Sequence, residues 1–110
     1  MLNGNTKKKY VVDIDNTICT QETNYANAKP IQSRINYINK LYDEGNTIVY
    51  FTARGTETGI NWREVSENQF VTWGVKFHKL IFGKPSADYY IDDKAFEIEH
   101  LDKIIEGSEI

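Results

Sequence analysis

The chain has 110 residues, 40% of them hydrophobic and 26% charged, with a formal net charge of -3. These values suit one globular domain, residues 1–110, with a modest core, and they exclude two domains of ordinary size. The single cysteine excludes an intramolecular disulfide, no basic stripe favours nucleic acid, and no apolar run approaches the roughly 20 residues that span a bilayer. We therefore expect a cytoplasmic protein that binds neither membrane nor nucleic acid.

The first half of the chain predicts a strand, a loop and a helix. Residues 9–14 (KYVVDI) are a short β-branched and aromatic run, which is typical of a buried strand. Residues 16–29 are polar and carry no clear period, so they predict a loop or flap. Pro30 then opens a helix that Gly45 ends. The apolar residues that recur on this helix at helical spacing are Ile31, Ile35, Ile38 and Leu41 or Tyr42.

The second half alternates strands and helices. Residues 47–52 (TIVYFT) give the strongest strand pattern in the chain, and the Gly-rich loop ARGTETG follows them. Further elements are a helix over about 61–73 ended by Gly74, strands over 76–82 and 88–91, and a last helix over about 94–105. This alternation indicates βαβ units. The predicted fold is α/β: a three-layer, Rossmann-like parallel sheet flanked by helices.

Polar side chains recur at the predicted carboxyl ends of these strands. In parallel sheets ligands bind at that edge, near a topological switch point. A surface pattern without function would not favour the same end of every strand, so we expect these residues to meet at one site. They are Asp13 and Asp15 after the first strand, Thr52 and Arg54 after the second, Lys84 after the third, and Asp92 and Asp93 after the fourth.

The gathered carboxylates, hydroxyl and ammonium indicate phosphoryl chemistry with a hard divalent cation. Oxygen-only ligation suits Mg²⁺ better than zinc. One carboxylate can attack phosphorus, and a second two residues on can protonate the leaving alkoxide and then activate water. Mg²⁺ and Lys84 would neutralise charge on the phosphoryl oxygens, while Thr52 donates a hydrogen bond to one of them. Because alternate strand residues point to the same side, we expect Asp13 and Asp15 to reach one phosphoryl group.

Four short segments, in order along the chain, resemble the motifs of the haloacid dehalogenase (HAD) superfamily. Residues 13–17 (DIDNT) resemble its DxDxT motif. Thr52 in YFTAR resembles the second motif, Lys84 in FGKP the third, and Asp92 and Asp93 in YIDDK the acidic fourth. The resemblance covers essentially the whole chain. It implies the HAD-type fold and a phosphatase, because the second aspartate is characteristic of the superfamily's phosphatases and phosphomutases and differs in its dehalogenases.

The resemblance also implies a role for each matched residue. Asp13 would be the nucleophile and Asp15 the general acid and base. Mg²⁺ would be held by Asp13, the backbone carbonyl of Asp15, and Asp92, while Asp93 would ligate through water or orient Lys84. The candidates for contact with the substrate are Thr52, Ala53, Arg54 and Lys84.

The chain has little room for a cap domain between its first and second motifs. The resemblance implies that such capless members leave the site open to a bulky substrate or cover it with a neighbouring subunit, so a homo-oligomer is one option. The stretch GTETGINWREV, with KFHKLIFGKPSADYYIDDKA after it, also resembles small HAD proteins linked to capsular or other surface-polysaccharide biosynthesis. That likeness implies a phosphosugar or a nucleotide-activated relative as the substrate.

Several residues have a second interpretation. Asp13 and Asp15 also suit a strand-ending turn, where Asp is common. Arg54 suits a structural ion pair as well as contact with substrate or phosphate. The last acidic pair also suits a cap on the final helix, since Asp is favoured at that position. Three residues in loops that flank the proposed site suit either packing or substrate contact: Tyr25, Glu57 and Trp62.

Alternative functions differ in how far the sequence favours them. A phosphomutase or phosphotransferase of the same superfamily is the enzymatic alternative. A receiver-type phospho-acceptor domain places its phosphorylated Asp after a later strand, whereas here the DxD segment comes first. A cysteine phosphatase is not predicted for Cys19, because residues 20–26 contain neither arginine nor glycine. His78, in a predicted strand, and His100, on a predicted helix, are expected to be structural or exposed.

Overall fold

The computed structural model describes residues 7–83 and 89–91, which alternate strands with helices. The β-branched and aromatic runs form the strands, and the two amphipathic segments form the helices. The elements in chain order are β1 (Lys9–Asp13), a 3₁₀ turn (Tyr25–Asn27), α1 (Gln32–Asp43), β2 (Thr47–Thr52), α2 (Arg63–Trp73), β3 (Lys79–Phe82) and β4 (Tyr89–Ile91).

Most of the predicted elements are confirmed, but the third strand is shorter than predicted. The prediction of a strand over 76–82 is wrong at its start, because β3 begins at Lys79. The side chain of Asn39 in α1 donates to the Gly74 carbonyl at 2.8 Å and accepts from the Lys76 N–H at 2.9 Å. These backbone groups therefore bond to α1 instead of the sheet. The predicted helix over 94–105 lies outside the described residues.

The four strands form one parallel sheet in the order β3-β2-β1-β4. β1 is interior, paired with β2 on one side and β4 on the other. The chain moves outward from β1 through β2 to β3, and then returns to β4 on the opposite side of β1. This reversal makes a topological switch point at β1, and in such sheets the crevice outside the strands' carboxyl ends is where ligands bind. The predicted parallel α/β sheet is thus confirmed.

The main hydrophobic core lies on the sheet face that carries both described helices. Ile35 and Ile38 of α1 and Phe70 of α2 pack there against the sheet. On the opposite face a second buried cluster forms. Because successive strand residues alternate between faces, β1 and β2 are apolar on both, as interior strands of a parallel sheet usually are. The buried strand residues are Val12, Ile48, Tyr50, Leu80 and Ile91 on the helix-bearing face, and Val11, Val49 and Phe51 on the other.

Short connections leave the carboxyl edge of the sheet without an inserted domain in residues 7–83. The connection from β1 to α1 is a loop whose one regular element is the 3₁₀ turn, and β2 leads to α2 through residues 53–62. The absence of a cap domain from the whole chain stays a prediction. In the part of the chain that the structure describes, no helix is both long enough and apolar enough to cross a membrane.

Candidate functional site

Two of the predicted site residues end neighbouring strands. Asp13 is the last residue of β1, and Thr52 is the last residue of β2. Asp13 pairs in register with Phe51, so Thr52 lies one residue further along the same edge. On the other side of β1, Ile91 pairs with the residue before Asp13. The predicted site residues outside the described part of the chain are Lys84, Asp92 and Asp93.

The carboxylate of Asp13 bonds to the backbone N–H of the next residue. Its Oδ1 accepts a hydrogen bond from the N–H of Ile14 at 2.8 Å, and the residue is half-buried. Hydrogen bonds to a charged acceptor are among the stronger ones in proteins. The predicted nucleophile therefore stands at the switch point with one carboxylate oxygen bonded to the backbone.

A tight turn directly after β1 sets the direction of Asp15. The carbonyl of Ile14 accepts from the N–H of Ile18 at 2.9 Å, and the N–H of Asn16 donates to the Cys19 carbonyl at 2.9 Å. Asn16 has a φ of 67°, in the left-handed region that Asn tolerates better than most residues. Because β1 ends at Asp13, before this turn, strand alternation does not place Asp15 on the same side as Asp13, and the expectation based on it was wrong in its reason. The turn and the partners of the carboxylate decide where it points.

Asp15 forms a bidentate ion pair with Arg54. The Nε of Arg54 donates to Oδ2 of Asp15 at 3.0 Å, and Nη2 donates to Oδ1 at 2.9 Å. The arginine side chain has 0% exposed surface and the aspartate side chain 12%. Two parallel N–H to oxygen bonds fix the carboxylate in both position and rotation. Of the two interpretations of Arg54, the structure displays the ion pair.

The remaining donors of Arg54 are also engaged within the protein. Nη1 donates to the Ser66 hydroxyl at 3.0 Å and to Oε1 of Gln69 at 2.7 Å. Nη2 also contacts the Cys19 sulfur at 3.8 Å, and the guanidinium lies 4.9 Å from the centre of the Tyr25 ring. A guanidinium has five N–H donors. Contact of Arg54 with a substrate therefore stays a prediction that requires one of these bonds to be exchanged.

Gln69 connects this ion pair to the loop between β1 and α1. Its Oε1 accepts from Arg54, while its Nε2 donates to the backbone carbonyl of Tyr25 at 2.7 Å. The two contacts use opposite ends of one amide, which fixes the orientation of that amide. Asp15, Arg54, Gln69 and Tyr25 therefore form one continuous chain of contacts.

Sequence reasoning missed Ser66 and Gln69, although one signal pointed to them. Both lie on the side of α2 that also carries the buried Phe70, and Ser66 has no exposed surface. A buried polar residue on an apolar helix face needs a hydrogen-bond partner in the core. That requirement predicts that some polar group lies opposite Ser66, but it does not identify that group as Arg54.

Cys19 lies against the ion pair as a neutral thiol. Its sulfur is 3.6 Å from Oδ1 of Asp15 and is buried. Burial, and next the negative charge of Asp15, raise the pKa of Cys19 to about 12. A nucleophilic cysteine needs the opposite shift, because the thiolate is the reactive form. This supports the sequence-based argument against a cysteine phosphatase.

The hydroxyl of Thr52 accepts a hydrogen bond at the carboxyl end of β2. Its Oγ1 accepts from the N–H of Arg54 at 3.0 Å, in a residue with 1% exposed surface. An oxygen that accepts there keeps its own proton for another acceptor. The geometry therefore suits the predicted hydrogen bond from Thr52 to a phosphoryl oxygen.

An open cavity of about 330 Å³ lies over the loop that follows β2, and its lining begins at Ala53, the residue after Thr52. The rings of Tyr25 and Trp62 meet edge to face in its wall, with centroids 5.1 Å apart. The structure thus brings together all three loop residues that the sequence suggested could touch a substrate. The cavity is lined by Thr23, Tyr25, Ala53, Gly55, Thr56, Glu57, Thr58, Ile60 and Trp62.

Two of the groups predicted to hold Mg²⁺ lie within the described residues. The carboxylate of Asp13 and the backbone carbonyl of Asp15 are of the chemical type that Mg²⁺ prefers. No group of three or more His, Cys, Asp or Glu side chains that could hold a metal occurs within residues 7–83 and 89–91. The carboxylate of Asp15 is engaged by Arg54, which leaves its carbonyl as its predicted contribution. The other predicted ligands, Asp92 and Asp93, fall outside these ranges.

Comparison with known proteins gives relatives of the fold. No family model and no curated protein matches the chain. The crystal structure of an MCSG target from Vibrio cholerae is similar with a TM-score of 0.65 at 24% identity, covering 92% of this chain and 98% of that one. The structure of a conserved protein from Bacteroides thetaiotaomicron is similar with a TM-score of 0.60 at 16% identity, covering 94% and 93%. These similarities show a shared small α/β fold.

Proposed function

We propose that the protein is a Mg²⁺-dependent phosphatase of the HAD type, which hydrolyses a phosphomonoester through an aspartyl-phosphate. The observation that carries the proposal is the position of Asp13 at the carboxyl end of the interior strand, beside Thr52 and at the switch point. The DxDxT segment and the later motifs of the sequence support the same assignment. In such sheets ligands bind at the carboxyl ends of the strands, and a carboxylate there can attack a bound phosphomonoester as a nucleophile.

The proposed reaction has two displacements at phosphorus. An oxygen of Asp13 forms a bond to phosphorus while the bond from phosphorus to the leaving alkoxide breaks. Asp15 gives that alkoxide a proton, which requires one of its oxygens to exchange its hydrogen bond with Arg54 for that proton. Water then attacks the same phosphorus, Asp15 takes its proton, and the bond to Asp13 breaks to release phosphate. Thr52 donates a hydrogen bond to a phosphoryl oxygen throughout.

A divalent cation would supply charge neutralisation on the phosphoryl oxygens. Asp13, the carbonyl of Asp15, Asp92 and Asp93 are the residues proposed to hold it, and Lys84 would add a second positive charge. The described donors, a carboxylate and a carbonyl, fit a hard cation better than a soft one.

The substrate's organic group would occupy the cavity lined by Tyr25 and Trp62. Aromatic rings beside threonine hydroxyls and the carboxylate of Glu57 suit a ring that bears hydroxyl groups, and the described residues of the lining include no lysine or arginine. This composition supports a phosphosugar, or a nucleotide-linked relative, as the class to test first.

The first test is hydrolysis of p-nitrophenyl phosphate with and without Mg²⁺. We expect Mg²⁺-dependent turnover that Asp13→Asn lowers by about 10³-fold or more, because the amide is a poor nucleophile. Asp43→Asn is the matched control, since Asp43 is 56% exposed and pairs with Lys76 on the surface. It should keep wild-type activity.

The same assay separates the alternatives. Metal-independent turnover, or an Asp13→Asn variant as active as the wild type, would show that the proposed mechanism is wrong. Stable labelling by acetyl phosphate without turnover would favour a receiver domain. Transfer of the phosphoryl group to an added sugar phosphate instead of water would favour a phosphomutase or phosphotransferase.

A further inference from the structure

Gln69 lies between the Asp15–Arg54 ion pair and the loop that carries Tyr25, and the proposed reaction uses both. On one side its amide oxygen accepts from Nη1 of Arg54 at 2.7 Å, and the same guanidinium holds both carboxylate oxygens of Asp15. On the other side its amide nitrogen donates to the carbonyl of Tyr25 at 2.7 Å. Tyr25 also forms part of the cavity wall. The Gln69 side chain thus bonds both to Arg54, the partner of Asp15, and to the loop that carries Tyr25.

A second contact makes the connection rigid. The ring of Tyr25 lies 4.9 Å from the guanidinium of Arg54 on one side and meets Trp62 edge to face on the other. Tyr25 is therefore fixed at its backbone by Gln69 and at its ring by Arg54. Movement of the loop would disturb contacts of the same guanidinium that orients Asp15.

We propose that Gln69 is a positioning residue that couples the loop over residues 18–29 to the orientation of Asp15, through Arg54. The proposal rests on the proposed phosphatase function, because it assigns the coupled carboxylate the role of proton donor. Its consequence is that the wall which contacts the leaving group and the acid which protonates it move as one unit. Loss of Gln69 should impair proton donation more than it impairs attack on phosphorus.

Leaving groups of different basicity separate these two effects. A p-nitrophenolate departs with little help from an acid, whereas an alkoxide needs a proton from one. We expect Gln69→Leu, which removes both hydrogen bonds, to lower kcat/KM for an alkyl phosphate about tenfold more than for p-nitrophenyl phosphate. Asp15→Asn should show the same selectivity in a stronger form.

Two more variants of α2 complete the test, a second change at Gln69 and a control at Asn68. Gln69→Glu keeps an acceptor for Arg54 but cannot donate to the carbonyl of Tyr25, and we expect it to show the same leaving-group selectivity. Asn68→Ala changes an exposed neighbour on the same helix and should behave as the wild type. An equal loss on both substrates, or no loss, in the two Gln69 variants would overturn the proposal, since a residue that only supports the fold affects both alike.

Proteolysis measures the coupling without any catalytic activity. Chymotrypsin can cleave after Tyr25 only when the loop leaves its packed position. We expect cleavage at this bond, followed by mass spectrometry, to be about fivefold faster in Gln69→Glu than in the wild type. Asp15→Asn should also speed it, because coupling is reciprocal, whereas Asp43→Asn should not.

The two readouts distinguish the failure of the proposal from the failure of the function. If the wild type hydrolyses no phosphate ester but Gln69→Glu and Asp15→Asn both speed cleavage after Tyr25, the coupling stands and the assigned reaction is wrong. If neither variant changes the cleavage rate, Gln69 does not couple the loop to Asp15, whatever the reaction.

Discussion

Arg54 carries a full charge on a side chain with no exposed surface. Removing two charges from water costs free energy, and their attraction compensates only when the geometry is good and every remaining N–H is bonded. Here the partners Asp15, Ser66 and Gln69 meet those conditions. The same condition makes the pair intolerant of losing one partner, because the other would remain as an uncompensated charge.

Replacement of Arg54 by methionine tests this dependence. Arg54→Met leaves Asp15, Ser66 and Gln69 without their shared donor, and we expect the free energy of unfolding to fall by about 3–5 kcal/mol. Urea unfolding followed by circular dichroism measures it. The control Lys76→Met breaks an exposed bridge to Asp43 and should cost under about 1 kcal/mol. Similar losses of unfolding free energy in the two variants would show that burial does not make the Asp15–Arg54 pair more sensitive to the loss of a partner.

The Cys19 thiol gives a pH dependence with a defined sign. Burial raises its pKa from 9.0 to about 12 in the folded chain. Above about pH 9 the unfolded thiol loses its proton while the folded one keeps it, so the unfolded state binds fewer protons and stability falls as pH rises. Cys19→Ser removes this group, and its urea midpoint should fall less than that of the wild type between about pH 8 and pH 10.

A comparison of the two proteins isolates that thiol. Burial also raises the pKa of Tyr50, but this phenol is present in both proteins and its effect cancels in the difference. Equal decreases in the two urea midpoints would show that the buried thiol does not contribute to the alkaline loss of stability.

At the scale of elements, the loop from β2 to α2 depends on one glycine for its closure. Gly55 has a φ of 83°, and a Cβ placed on it would collide with the backbone carbonyl of Ile60 and approach the Trp62 ring at 3.1 Å. Gly59 has a similar φ of 77° but open space where a Cβ would be. Both positions therefore strain any other residue, but only Gly55 is also confined by close packing.

This difference predicts unequal effects of the two alanine substitutions. We expect Gly59→Ala to lower the free energy of unfolding by about 1–2 kcal/mol through the positive φ alone. Gly55→Ala adds a collision with backbone, so it should cost clearly more and displace the wall of the cavity. Urea unfolding of both variants measures the difference. If Gly59→Ala proves as costly as Gly55→Ala, the close approach to Ile60 is not what the loop requires.

At the scale of the whole molecule, the strand order decides where a site can form. Because the chain places β2 and β4 on opposite sides of β1, the carboxyl end of β1 opens at a switch point. The sheet register then puts Asp13 and Thr52 next to each other, although they are far apart in sequence. Helix α2, packed on one face, brings Ser66 and Gln69 to the same edge.

The type and order of the described strands and α-helices could be predicted from local sequence patterns. Its β-branched runs, helical apolar spacing and glycine stops are local patterns, and each depends on residues within a few positions. The parallel sheet and the edge on which Asp13 and Thr52 lie followed from that alternation by general rules of α/β folds. The largest error in a boundary, at the start of β3, lies where the Asn39 side chain bonds to the chain after α2, a contact that no local pattern contains.

The partners of Asp15 could not be predicted in this way, because they come from distant parts of the chain. The ion pair joins residues 39 positions apart, and the bond from Gln69 to Tyr25 joins residues 44 positions apart. Such contacts depend on how α2 and the first loop pack on the sheet, and any polar residue there has many possible partners. The sequence therefore suggested both an ion pair and a ligand contact for Arg54. The structure shows the ion pair, and contact with a ligand stays a prediction.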